Sequence, residues 1–301
     1  ATSLHGTVLL SLLFSAIFAI GIAGNLLVIA VIVRDSKMRQ SVTNLMIINL
    51  AIADLVIMFL NVPEMLMFVM GGAWLLGPAA CKANRFILTS ALYCSVLSLL
   101  ALCVERFIAI VFPLKAHELC SRRKIVGAIL FIWPLALGCG LPVALYNVEV
   151  TRGRGGLKLC LIRLPGEDWR RSLMLYKFTE SALFYFIPMV LQVGAPYCVC
   201  SYPNLHRKKN PASDTIRARK GVVKMLISSV LLYFLSYSPL QARLLYKSLA
   251  ARPGAQPTFF DSMDFFVLVM VMTLLNSAAN PVLYAIFSQN FRRNFQRCLC
   301  C

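Results

Sequence analysis

Apolar residues fall in long runs along this chain, and polar residues fall in short breaks between them. Seven runs stand out, at about 6–33, 41–70, 79–112, 124–146, 172–202, 215–247 and 258–287. A helix needs about 20 apolar residues to cross the ~30 Å hydrocarbon core of a bilayer, and every run is long enough. A short amphipathic segment follows at about 289–300, with Phe291 and Phe295 set among Arg292, Arg293 and Arg297. The pattern predicts an all-α membrane protein: a seven-transmembrane helix bundle with a short amphipathic eighth helix, one domain over residues 1–301. The third run organises the rest. From Cys81 to Arg106, at 1.5 Å per helical residue, it reaches roughly 37 Å, which puts the cysteine at one membrane face and the arginine at the other.

Composition sharpens this. The chain is 59% hydrophobic and only 14% charged, with mean hydropathy +0.75. A soluble domain carries about 25% charged residues, so a large soluble helical protein lacks the surface charge it would need here. The net charge of +18 would suggest nucleic acid in a soluble protein. Here the cations lie mostly between apolar runs, and the positive-inside rule accounts for them without a nucleic-acid partner. The breaks after runs one, three and five and the final segment hold Arg34, Lys37, Arg39, Arg122, Arg123, Lys124, a basic stretch from Arg207 to Lys220, and three further arginines, against Asp35, Glu118 and Asp214. Those breaks are read as cytoplasmic, with the N-terminus outside and the C-terminus inside. The segment around Cys160 is also basic, with Arg152, Arg154, Lys158, Arg163, Arg170 and Arg171, and runs against the rule. No charged segment precedes the first run as a cleavable signal would require. The chain starts at Ala1 and stops just past an apolar-basic helix, so native tails are expected beyond both ends.

Cys94, Cys103, Cys139, Cys198 and Cys200 fall inside apolar runs, where a thiol is a small hydrophobe. Cys81 and Cys160 fall at or beyond helix ends on the same expected side and are the plausible pair there. Inside the membrane, polar groups are costly and point to function. Asn25, Asp54, Ser95, Asn276, Ser277 and Asn280 lie within runs one, two, three and seven. Two readings are open for them: convergence on a small cation such as Na⁺, or a satisfied polar network that joins helices. Pro63, Pro142, Pro188, Pro239 and Pro281 each interrupt a different run. A proline inside a helix frees backbone groups and kinks it, which suits pivoting helices.

The chain resembles a rhodopsin-like (class A) G-protein-coupled receptor over essentially its whole length. The motifs that carry the resemblance are Gly24-Asn25-Leu26-Leu27-Val28 and Asn49-Leu50-Ala51-Ile52-Ala53-Asp54-Leu55, then Trp74, Cys81, Ser95 and Glu105-Arg106-Phe107. Trp133, Cys160, Phe184 to Pro188, Asn276-Ser277, Asn280-Pro281-Val282-Leu283-Tyr284 and Phe291-Arg292-Arg293-Asn294-Phe295 continue the series in order.

The resemblance implies a multi-pass plasma-membrane receptor, not an enzyme, that activates a heterotrimeric G protein by outward movement of span six. It implies a disulfide between Cys81 and Cys160. Arg106 takes the place of the switch arginine, held at rest by Glu105 and released towards the G protein, and Leu114 that of the apolar inner-loop residue that docks there. Asp54, Ser95, Asn276, Ser277 and Asn280 match an allosteric sodium site; no other cofactor is implied. Tyr284, Tyr233, Pro239 and Pro281 match activation-switch positions, and Cys298, Cys300 and Cys301 match palmitoylation sites that tie the eighth helix to membrane lipid. Arrestin and a receptor kinase follow as further partners.

Several positions depart from the family pattern. The third-run motif ends in Phe107 rather than tyrosine. Ser236-Tyr237-Ser238-Pro239 stands for C-W-x-P, so Tyr237 replaces the toggle tryptophan, and Tyr233 stands one turn below in place of phenylalanine. Pro196 occupies the span-five tyrosine position, with Tyr197 after it, and Arg219 stands where an acidic partner of Arg106 is usual. Altered activation contacts are expected, and no lock between spans three and six. Leu88 occupies the place of the amine-receptor aspartate, which speaks against an amine ligand, and span seven has no lysine for retinal. Glu64, Arg85, Leu88, Thr89, Tyr237, Gln241 and Leu244 are the candidate ligand contacts; Lys177, Glu180, Arg243 and Asp264 are expected to face the same cavity. Such a mixed set suits an extracellular peptide, and Glu105-Arg106-Phe107, the Pro113-Leu114-Lys115-Ala116 run and the outer loop resemble those of the neuropeptide branch near thyrotropin-releasing-hormone and neuromedin-type receptors. The alternatives are an orphan or decoy receptor that couples weakly, and a membrane transporter, although no inverted repeat is visible.

Overall fold

The computed structural model describes residues 4–71, 74–152, 157–200, 213–250 and 258–299. Span one is helix α1 (Leu4–Arg34). A single-turn helix, α2 (Ser36–Gln40), follows, its first N–H groups received by the Asp35 carboxylate. Span two is α3 (Val42–Gly71) and span three is α4 (Gly77–Val111). Gly77 opens α4 at a φ of +79°, a left-handed conformation that a side chain would strain, and Pro78 then supplies a fixed φ at the first turn. The inner-loop helix α5 (Pro113–Leu119) leads to span four, α6 (Arg122–Tyr146). A hairpin of β1 (Asn147–Arg152) and β2 (Leu157–Ile162) follows, with Glu149 opposite Cys160.

Span five is α7 (Trp169–Ser181), one π-helical turn (Ala182–Phe186) and α8 (Ile187–Cys200). Span six is α9 (Ser213–Ala250) and span seven is α10 (Met263–Phe287), capped by the Ser262 hydroxyl. The eighth helix is α11 (Gln289–Leu299). Five of the described helices (α1, α3, α4, α6 and α10) are long and apolar enough to cross a membrane. Span five misses that mark because the π turn divides it. Span six carries Lys224 near its inner end and Arg243 and Lys247 near its outer end.

The helices are apolar on both sides, for two reasons. Inward, Met46, Ile47, Leu50, Leu99 and Leu102 are almost wholly buried where spans two and three meet. Outward, Leu9, Leu130, Phe131, Val190 and Leu235 are each more than 60% exposed. Apolar faces of that extent suit lipid rather than water. Span three packs against spans two, four, five and six. Its approach to span four is close: a Cβ at Gly140 would sit 2.5 Å from Ser90 Oγ.

The outer segment after span four forms a β-hairpin. The break after span one is helical over Ser36–Gln40. Span four contains a second interior proline, Pro134.

Candidate functional site

A cavity of about 690 Å³ opens among spans two, three, five, six and seven beneath the hairpin. All seven candidate ligand contacts line it: Glu64, Arg85, Leu88, Thr89, Tyr237, Gln241 and Leu244. The Cys81–Cys160 disulfide fixes its roof, with the two Cα atoms 5.7 Å apart. Trp74 packs beside that bond, nearly buried; its backbone N–H donates to Lys158 O at 2.7 Å and its indole N–H to Gly77 O at 2.8 Å.

Charges in the cavity are arranged in pairs. Arg85 donates to the buried Glu64 carboxylate, which also accepts from Asn84 Nδ2 at 3.0 Å. Glu180 accepts from Lys177 Nζ at 2.6 Å and from Tyr93 Oη at 2.7 Å. The Tyr93 ring stacks on Phe184 with centroids 3.7 Å apart. Arg243 lies over the Phe266 ring, 4.8 Å from its centre. Asp264 is the exception among the expected residues. It is exposed on the first turn of span seven and does not line the cavity. Met263 and Phe266 take the inward positions, and a residue between them at 100° per step points away.

Below the cavity, spans five and six are joined through aromatic residues. Pro188 has no N–H, so the carbonyl of Phe184, four residues earlier, has no i+4 donor. The chain answers with the π turn, and with the Tyr233 hydroxyl, which donates to Phe184 O at 2.7 Å. The widened turn carries Tyr185 inward, where its hydroxyl meets Ser238 Oγ at 2.7 Å. One turn higher, Ser181 Oγ donates to Gln241 Oε1 at 2.6 Å. Tyr237 and Tyr233 are both buried, with ring centroids 4.8 Å apart.

The mid-membrane polar residues do converge. Asp54 is fully buried, and its Oδ2 accepts from Asn280 Nδ2 at 2.8 Å. Ser95 and Ser277 lie against the same carboxylate. Asn25 Nδ2 donates to Ser277 O at 3.1 Å; that carbonyl lies four residues before Pro281 and lacks an intrahelical donor for the same reason as Phe184. Among the described residues, Asp54 Oδ1, Ser95 Oγ, Asn276 Oδ1, Ser277 Oγ and Asn280 Oδ1 are buried without a hydrogen-bond partner. Such oxygens need a partner, because burying an unpaired polar atom is costly.

At the inner face, Arg106 binds the Glu105 carboxylate beside it and Thr43 Oγ1 of span two. Glu105 is buried. Arg106 also lines a second cavity of about 420 Å³, with Asp35, Met225 and Asn294 on its walls. The Asp35 carboxyl is held below its usual range, first by the N–H of Met38 and then by those of Lys37 and the Asn294 side chain. Tyr284 is buried against Phe291 of the eighth helix, 5.5 Å between centroids. Leu114 is 96% exposed on the second inner loop. Arg34 Nη1 points to Cys298 Sγ at 3.3 Å. The side chains of Pro196, Tyr197 and Arg219, and the whole of Cys300 and Cys301, lie outside the described residues.

Sequence reading missed three contacts. Trp133 Nε1 donates to Asn49 Oδ1 at 2.8 Å, and Asn49 Nδ2 donates to Ser98 Oγ at 2.7 Å, so spans two, three and four share one buried polar link. The Tyr93–Glu180–Lys177 group was not assembled. Lys158, on the hairpin, also enters the cavity lining. Alternating apolar positions Val148, Val150 and then Leu157, Leu159, Leu161 around a glycine-rich segment were the available hairpin signal.

The profile of the family described as 7 transmembrane receptor (rhodopsin family) matches residues 24–284. The chain is 33% identical to neuropeptide receptor 15 of Caenorhabditis elegans, over 96% of this chain and 89% of the relative. It is 30% identical to galanin receptor 2a of Danio rerio, over 98% of this chain and 79% of the relative. It is 29% identical to somatostatin receptor type 2 of Sus scrofa, over 99% of this chain and 78% of the relative.

Proposed function

The chain belongs to the rhodopsin family of seven-transmembrane receptors, and we propose that it is a plasma-membrane receptor for an extracellular peptide that activates a heterotrimeric G protein. The observation that carries the ligand reading is the outer cavity. At about 690 Å³ it exceeds what a small amine needs, and its wall presents Leu88 in span three beside paired charges and amides. A peptide offers several groups to such a wall, and the three relatives named above are neuropeptide, galanin and somatostatin receptors.

The inner face supports coupling. Ligand binding would shift span six outward, releasing Arg106 from Glu105 and Thr43 towards the G protein, with Leu114 as an apolar contact of the same partner. A ligand moves such an equilibrium only by its differential affinity for the two states. The buried oxygens around Asp54 are hard donors of the kind Na⁺ takes, and a resident ion there would favour the resting arrangement. Arrestin and a receptor kinase would read the same inner surface, and acylation at Cys298, Cys300 or Cys301 would hold the eighth helix at the bilayer surface.

The test is a neuropeptide library applied to cells expressing the full chain, read as calcium and cyclic-AMP responses. At least one peptide should respond in wild type. Arg106→Ala should abolish that response while surface expression stays near normal. A full response from Arg106→Ala refutes the assigned role. Peptide binding without any response in wild type favours a decoy.

A further inference from the structure

We propose that the peptide binds as an extended strand along the open edge of the outer hairpin, its backbone hydrogen-bonded to Cys160 and Ile162 of β2. The inference rests on the peptide reading above and adds the conformation the peptide takes. In an antiparallel pair, facing residues alternate between those that bond each other and those whose N–H and C=O point away. Contacts outside the ladder fix which are which. Arg163 N–H donates to Tyr146 O at 2.9 Å, the next facing pair beyond Asn147 and Ile162. Counting from it, Leu161 bonds Val148 and Leu159 bonds Val150, while Lys158, Cys160 and Ile162 turn their backbone groups outward. Trp74 agrees: its N–H reaches Lys158 O from outside the hairpin at 2.7 Å. Asn147 agrees too, since its N–H goes to Val143 O of span four and not to β2. Lys158 O is thus taken. Among the described residues, no group meets the outward N–H and C=O of Cys160 and Ile162.

The second observation is where this edge lies. Lys158, Leu159, Cys160 and Leu161 of β2 line the outer cavity, and no described residue of β1 does. Cys160 is buried, and its disulfide ties the edge to the top of span three. The edge is therefore fixed in place and enclosed. Backbone groups shut away from water need partners, and an open strand edge is a template for another chain. An extended backbone matches it. Its residues two apart present N–H and C=O about 6.7 Å apart along one side, the same repeat that separates Cys160 from Ile162. A helical ligand spends those groups on itself. In strand addition the backbone bonds give affinity, and alternate side chains give specificity. Every second side chain of the added strand turns into the cavity, where Leu88 and the Glu64–Arg85 pair stand.

The experiment uses the full chain in nanodiscs of phosphatidylcholine and a synthetic library of linear peptides. The tightest binder is remade with one backbone nitrogen methylated at a time, which removes that N–H and keeps the side chain. Two residues two apart should each lose about tenfold or more in affinity, the scale of one hydrogen bond removed with its partner left bare. The residue between them should lose about threefold or less. On the receptor, Ile162→Pro removes one outward N–H and no bond of the hairpin ladder. It should weaken the unmethylated peptide about tenfold, and Ile162→Val should leave it unchanged. The methylation scan leaves the receptor untouched, so it decides the matter if Ile162→Pro does not fold. Sensitive residues spaced three or four apart, tolerance of methylation at every position, or full affinity in a folded Ile162→Pro overturns the added strand and leaves the peptide reading standing. Failure to enrich any peptide over empty nanodiscs overturns both.

Discussion

Removing one hydroxyl from span six should cost stability only while Pro188 is present. Tyr233 is 3% exposed, its ring packs against Phe234 and Tyr237, and its hydroxyl donates to Phe184 O at 2.7 Å. That carbonyl lacks its helical donor because residue 188 is proline. Tyr233→Phe keeps the ring and leaves the carbonyl bare in a low-dielectric interior. Interhelical hydrogen bonds in membranes are worth about 0.6 kcal/mol on average and up to ~1.7. An otherwise unpaired carbonyl belongs near the upper end, so the expected cost is about 1–1.5 kcal/mol. In a Pro188→Ala background, the alanine N–H becomes available to the same carbonyl once the π turn tightens to an α turn. Tyr233→Phe should then cost little. The two substitutions form a double-mutant cycle with a coupling of about 1 kcal/mol, roughly a fivefold change in the unfolding equilibrium. The assay is denaturant unfolding of the four full-length proteins in mixed micelles. Equal costs of Tyr233→Phe in both backgrounds would show that the hydroxyl does not substitute for the missing backbone donor, and the reasoning fails.

Asp54→Asn should remove sodium-dependent stabilisation: wild type should melt higher in sodium chloride than in choline chloride at equal ionic strength, and the variant should melt alike in both. A ligand that binds only the folded state raises apparent stability by mass action, so a sodium effect that persists in Asp54→Asn would exclude the site. Gly140→Leu should destabilise by about 1–3 kcal/mol, the usual cost of overpacking, because a Cβ there would sit 2.5 Å from Ser90 Oγ and 3.3 Å from the Phe86 ring. Thermal unfolding reads it, and a combined Gly140→Ala, Ser90→Gly variant should recover most of an alanine's cost.

What the sequence made legible were features of period and position. Runs of apolar residues locate the spans because a bilayer has one thickness and an unpaired backbone has no place within it. Leu88, Gln241 and Leu244 reach the cavity because helical phase carries a residue's facing along a whole span. That logic fails at ends and breaks. Asp264 sits in a first turn, one step out of phase with Met263 and Phe266. The π turn at Ala182–Phe186 shifts the phase of span five by one residue, and nothing in the composition of ALFYF announces it. Pro188 marks where such a turn is favourable, but the donor that completes it, Tyr233, comes from another helix. Asn49, Ser98 and Trp133 were each visible as polar or aromatic positions. Their convergence depends on how spans two, three and four are rotated, and no single-span pattern carries that.

The departures on span six acquire a common meaning from the geometry. Where the family pattern has phenylalanine and tryptophan, this chain has Tyr233 and Tyr237, and with Ser238 and Gln241 they line the face turned to span five. Three hydrogen bonds cross that interface at successive levels: Tyr233 to Phe184 O, Tyr185 to Ser238, and Ser181 to Gln241. If activation carries span six away from span five, all three bonds must be exchanged. With the Tyr233 bond at about 1–1.5 kcal/mol and ~0.6 kcal/mol for each of the other two, they oppose such a movement by about 2.5 kcal/mol, roughly a seventyfold bias. The absence of an acidic partner for Arg106 at the position of Arg219 pulls the other way, since it removes a tie that would hold the inner ends of spans three and six together. If the proposed outward movement of span six holds, polar substitutions between spans five and six should shift basal activity more than substitutions around Arg219, and a larger shift from the Arg219 variants in a basal cyclic-AMP assay would refute it.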